Sequence, residues 1–82
     1  MPARPRYSQH ALQRVDERSI LRRWVAIVML ARPERAGRRN VFTLSADELA
    51  ARCGGQFCDG LRVVVDAISR RIVTAHWLDR KS

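Results

Sequence analysis

Eighty-two residues with 46% hydrophobic content make one small domain, able to bury about 60–65% of its unfolded surface. They also exclude wholesale disorder. The net charge is +8, from sixteen basic residues against eight acidic ones, and fifteen of the sixteen are arginine. Arginine offers a planar fork that suits phosphate oxygens bidentately, so this excess favours a polyanionic partner, nucleic acid above all. The bland alternative is that abundant Arg with abundant Ala reflects genomic base composition.

The opening M-P-A-R-P-R is polar and basic, with no apolar core after it, and does not read as a secretory signal. Pro2 and Pro5 with Arg4 and Arg6 suggest a flexible basic arm over residues 1–6, followed by a single domain over 7–80. The longest apolar run, Trp24 to Ala31, falls well short of the roughly 20 residues a membrane span requires.

The stretch Y-S-Q-H-A-L-Q-R-V-D-E-R-S-I from Tyr7 to Ile20 organises the chain. Ser8 is a candidate N-cap for a helix from about Gln9 to Arg18. At 100° per residue, Leu12 and Val15 share one side with Ala11 at its border, whereas His10, Arg14 and Arg18 follow at i, i+4, i+8 on another, beside Glu17. A solvated face with an incidental histidine is the plain reading of that row. Ser19 and Ile20 form a tight connection to a second helix, Leu21 to Ala31, whose Leu21, Trp24, Val25 and Val28 recur at helical spacing. Ile27, Met29 and Leu30 widen its apolar stripe, so it is covered on two sides or contacts a partner. Pro33 stops it.

Glu34 to Arg39 reads as a charged, glycine-containing loop. Asn40 to Leu44 has strand composition. Ser45 followed by Glu48 is a capping-box pattern, predicting one or two helical turns over Ala46 to Arg52, ended by Gly54 and Gly55. The two β-branched runs L-R-V-V-V-D and R-I-V-T-A-H-W-L, joined through Ala67 to Arg70, predict an antiparallel hairpin. Strict alternation in the second run sends Ile72, Thr74, His76 and Leu78 to one face and Val73, Ala75 and Trp77 to the other. The expected core is Leu12, Val15, Trp24, Val28, Val63, Val65 and Val73. Cys53 and Cys58 flank G-G-Q-F; zinc would need two further ligands, and free thiols of a reducing compartment are the better reading. No metal or other cofactor is expected. The fold class is α+β, with two N-terminal helices packed on a small curved antiparallel sheet.

The helix motif H-A-L-Q-R-V-D-E-R-S-I, a second helix and a closing V-V-V-D…R-I-V-T-A-H-W resemble a group of small bacterial domains of mostly unassigned function. Their pattern is roughly H-A-x-x-R-x-x-E-R-x-I, with a late strand ending in V-T-x-aromatic. That group looks related to the barnase-like, EndoU-like, colicin-D-like and RelE-like toxin ribonucleases, which share two N-terminal helices and a curved antiparallel sheet. Many of these cut RNA without a metal. The resemblance spans Tyr7 to Trp77, interrupted by the cysteine- and glycine-containing insert Ala46 to Gly60, which leaves the strand number open.

The resemblance implies a metal-independent endoribonuclease toxin acting on tRNA, mRNA or rRNA in the cytoplasm, where it is made or into which a larger toxin delivers it. An acidic antitoxin or immunity protein would be its partner. The chemistry needs a base for the 2′-OH, an acid for the leaving 5′-oxygen, and cations for the charge growing on phosphorus. Histidine suits the first two and arginine the third. If the first helix packs along the Thr74/His76 face, then His10, Arg14, Arg18, Thr74 and His76 meet in one cleft, with Thr74 hydrogen-bonding a phosphate oxygen. His10 is the stronger of the two histidines; His76 also reads as a partly buried strand residue, and Arg18 as the partner of Asp16 or Glu17. Two other functions fit the same residues: a non-catalytic nucleic-acid-binding module, and an interaction domain docking a protein on its second helix.

Overall fold

The computed structural model describes residues 6–78. Residues 1–5, most of the expected basic arm, and 79–80 at the expected domain end lie outside the described residues. Arg6 does not extend an arm: it begins strand β1 (Arg6–Tyr7), followed by α1 (Gln9–Glu17), α2 (Arg22–Val28), β2 (Glu34–Ala36), β3 (Arg39–Leu44), α3 (Ala46–Cys53), β4 (Leu61–Asp66) and β5 (Arg71–Trp77). The fold is α+β, as its sequence implies, but with three helices, and the sheet is mixed rather than antiparallel. Strand order is β1-β5-β4-β3-β2. β1 runs parallel to β5, pairing Arg6 with Arg71 and Tyr7 with Ile72, while the remaining neighbours are antiparallel. A two-residue strand is too short to show alternation, which is why composition did not reveal it.

Local chemistry sets the boundaries of α1. The Ser8 hydroxyl accepts the Ala11 N–H at 3.0 Å. At the other end Ser19 takes a left-handed conformation (φ 53), and the N–H groups of Ser19 and Ile20 return to Asp16 and Val15 at 3.2 and 3.0 Å. This double return is a Schellman closure, with buried Ile20 as its apolar contact.

α2 is shorter than its periodicity suggests. Its interior, R-R-W-V-A-I-V, is rich in β-branched and aromatic residues of modest helix propensity. The chain leaves the helix at Met29 through tight turns, Leu30 N–H to Ile27 and Ala31 N–H to Val28, before Pro33 is reached. Val25 and Val28 are fully buried, Trp24 is half-buried against the core, and Leu21 and Leu30 face solvent.

The charged stretch read as a loop is instead a hairpin. β2 and β3 pair Glu34 with Val41 and Ala36 with Arg39, around Gly37, whose φ of 61° supplies the positive dihedral such a two-residue turn requires. α3 has its capping box complete, with Ser45 and Glu48 bonded reciprocally, and it ends at Gly54 (φ 75).

The β4–β5 register carries the main correction. Val63 faces Ala75 and Val64 faces Thr74, but Val65 faces Ile72, so Val73 is a bulge. One extra residue inverts the alternation. Ile72, Ala75 and Trp77 therefore share the face of Leu61, Val63 and Val65, whereas Thr74 and His76 share the face of Arg62 and Val64. The first face packs under the helices. Its buried members join Ala11, Val15, Ile20, Val25, Val28, Leu44 and Leu49 in one core. Val15, Val28, Val63 and Val65 belong to it as expected, and Trp24 packs against it. Leu12 and Val73 are only half-buried; Ala11 holds the position on α1 that Leu12 was expected to fill, and the bulge displaces Val73. No helix among the described residues is long and apolar enough to cross a membrane.

Candidate nucleic-acid interface

α1 lies against β5 and is tied to it at both ends. The Ser8 N–H donates to the Ile72 carbonyl at 3.0 Å. At the far end the Arg18 guanidinium donates to the Ala75 carbonyl at 2.7 Å, and the Trp77 indole N–H donates to the Arg18 carbonyl at 2.9 Å. β1 covers β5 only at Arg71 and Ile72, so the bonds accepted by the Ile72 and Ala75 carbonyls occupy margin groups that would otherwise invite another strand. Arg18 is thus a fastener of the sheet margin, not the partner of Asp16 or Glu17.

Arg14 takes the acidic partner instead. Its Nη1 meets Glu17 at 3.1 Å and its Nε donates to His10 Nε2 at 3.4 Å. His10 is exposed near the start of α1. Eight residues of helix separate it from Arg18, about 12 Å along the axis.

Because of the bulge, α1 packs on the Ile72/Ala75 face and not on the Thr74/His76 face. The single cleft expected to gather both histidines is therefore not formed by α1 lying over Thr74 and His76. What the register assembles is a cross-strand row on the helix-free face. Thr43 stands opposite Arg62, Arg62 stands opposite His76, and Arg62 Nε reaches Thr43 Oγ1 at 3.4 Å. Thr74 stands opposite Val64, one position along. His76 is half-buried, and its pKa is lowered from the ordinary 6.5, first by burial and then by the Arg62 and Arg18 cations. A neutral imidazole beside two guanidinium groups can accept a proton where an anion would be held.

Sequence reasoning missed Arg62 and Thr43. Alternation in L-R-V-V-V-D already turns Arg62 away from Leu61, Val63 and Val65, but its neighbours depend on the register with β3 and β5.

On the other side of the sheet, the loop after α3 carries Phe57 against Trp24, with ring centroids 5.2 Å apart, and Trp24 against Trp77 at 5.6 Å, both edge to face. Cys53 and Cys58 are free thiols. Among the described residues, no group of three His, Cys, Asp or Glu side chains is arranged to hold a metal ion. Comparison of the chain with protein-family models, curated proteins and solved structures finds no match.

Proposed function

We propose that the domain binds RNA across the helix-free face of its sheet and the margin of β5, and cleaves it by acid–base chemistry centred on His76. The observation that carries this reading is the row Thr43–Arg62–His76, with Arg18 reaching the same strand from α1. A phosphodiester seated there meets Arg62 and Arg18 as cations for the charge developing on phosphorus. Neutral His76 takes the 2′-OH proton as the O2′–P bond forms. The P–O5′ bond then breaks, with the leaving oxygen protonated by solvent, giving a 2′,3′-cyclic phosphate and a 5′-hydroxyl. Thr74, adjacent on the same face, can donate to a phosphate oxygen. His10 and Arg14 stand about 12 Å and about 6 Å from Arg18 along the helix axis and fit a contact to a neighbouring phosphate better than proton transfer at the same one.

The +8 charge equally suits an acidic neutralising protein that would cover this surface. The experiment is incubation of the purified protein with total RNA in EDTA, followed by analysis of the ends formed. Cyclic phosphate ends that vanish in His76→Ala support the reading; intact RNA overturns it.

The separation of the two histidines favours one second reading, a non-catalytic nucleic-acid-binding module. In that case RNA is retained by the same arginines, uncut, and His76→Ala leaves the affinity unchanged.

A further inference from the structure

We infer that the cleft formed by Trp24, Phe57 and Trp77 is a base-binding pocket, which takes one unstacked nucleobase of a single-stranded nucleic acid whose backbone runs along the margin of β5. The cleft encloses about 360 Å³ between α2, the end of β5 and the loop after α3. That volume lies within the range of small-molecule pockets and admits a purine or pyrimidine with part of its sugar.

Three aromatic rings meet in its wall. Gly54 and Gly55, at φ 75 and 101, line it with no Cβ, so the wall there is backbone that a flat ring can approach. Arg23 stands at the cleft and Asp59 is its single acidic lining residue. Stacking on aromatic rings beside a cation is how proteins hold splayed-out bases, and it is tolerant of base identity.

Charge and topology select this occupant over an apolar peptide. His76 and Trp77 are consecutive on β5 and so point to opposite faces of the same strand end. A phosphate held by Arg18, Arg62 and His76 therefore sits across one strand from the cleft, and Trp77 is itself bonded to Arg18. A chain following that margin can place its phosphate on one face and turn its base over the strand end into the other. This inference rests on the proposed RNA binding, and it adds where the base goes.

Both tryptophans of the chain line the cleft, so tryptophan fluorescence, excited where Tyr7 does not absorb, reports on it. The protein is titrated with a non-cleavable 2′-O-methyl RNA octamer and with an abasic octamer of the same backbone. The expected result is fluorescence quenching by the octamer alone, with affinity about 5- to 150-fold above the abasic chain, the range that stacking one base supplies. Phe57→Ala, in a loop outside the buried core, should remove most of that advantage while leaving affinity for the abasic chain unchanged. Attaching a bulky maleimide to the exposed Cys58 at the cleft should do the same. Equal affinity for both octamers without a fluorescence change overturns the pocket and leaves backbone binding standing. Octamer binding undiminished in Phe57→Ala also overturns it. Binding of neither octamer overturns both the pocket and the RNA reading.

Discussion

The indole N–H of Trp77 donates to the backbone carbonyl of Arg18 at 2.9 Å, while the Arg18 side chain donates to the carbonyl of Ala75, two residues before that tryptophan. The residue that caps the end of α1 thus accepts from β5 and donates to it. The two bonds fasten the end of the helix where the helix-free face and the aromatic cleft adjoin. Arg18→Met keeps the aliphatic stem and deletes the donor, and should cost about 1–2 kcal/mol. Trp77→Phe deletes the indole donor and also trims the ring that packs on Trp24, and should cost about 1–3 kcal/mol. For a domain of this size each kcal/mol lowers Tm by about 4–8 °C, which thermal melts will resolve.

Val63 and Val64 are neighbours on β4 with opposite duties. Val63 is fully buried under the helices, and Val64 lies on the helix-free face. Val63→Asp should unfold the domain, since an unpaired buried carboxylate costs several kcal/mol against a total stability of about 5–15. Val64 is 9% exposed but has no helix over it, so Val64→Thr should stay folded, at a cost of about 1–3 kcal/mol. Circular dichroism of both variants checks the assignment of the two faces; the reverse pattern would mean the strand is turned over.

Gly60 is a glycine for a reason of space. A Cβ built there meets the Leu44 carbonyl oxygen at 2.5 Å and Leu78 Cδ1 at 2.9 Å. The leucine side chain can rotate, but the backbone oxygen cannot move without disturbing the end of β3. Gly60→Ala should therefore destabilise the domain by about 1–3 kcal/mol, read as a lower denaturation midpoint.

His76 also predicts a pH dependence. Burial, then Arg62 and Arg18, hold its folded pKa below the unfolded value of 6.5, so between those two values the unfolded chain binds more protons than the folded one. Stability should fall as pH drops through that window and level off below the folded value. His76→Gln should remove that part of the slope. Cleavage should follow the same sign, declining on the acid side with a midpoint below 6.5, because only neutral imidazole accepts the proton.

The local elements were largely legible in the sequence. Ser8, the Ser45/Glu48 box, Gly54 and the two β-branched runs each act through bonds within a few residues, and each stands where its chemistry requires. What was not legible depends on distant pairing. The strand of Arg6 and Tyr7 is defined only by Arg71 and Ile72. The β2 hairpin is built from E-R-A-G-R-R, where charge hides the strand and only Gly37 marks the turn. The bulge at Val73 leaves the composition of β5 unchanged, yet it moves Thr74 and His76 to the face away from α1. That one insertion divides the five expected site residues into an α1 pair, His10 and Arg14, a strand pair, Thr74 and His76, and Arg18 between them. The same register brings Arg62 beside His76, a neighbour that periodicity within one strand cannot name.

The most direct measurement is single-turnover cleavage of a defined RNA in EDTA by wild type, His76→Ala and His10→Ala, with folding of each confirmed by circular dichroism. His76→Ala should lose about 10²–10⁴-fold in rate, which is about 3–5 kcal/mol of barrier, with RNA affinity retained through the arginines. His10→Ala should stay within about tenfold of wild type, a loss of about 1.4 kcal/mol at most. A His10→Ala protein that is inactive beside a His76→Ala protein that cleaves at the wild-type rate would contradict the assignment of the reaction to the helix-free face of the sheet.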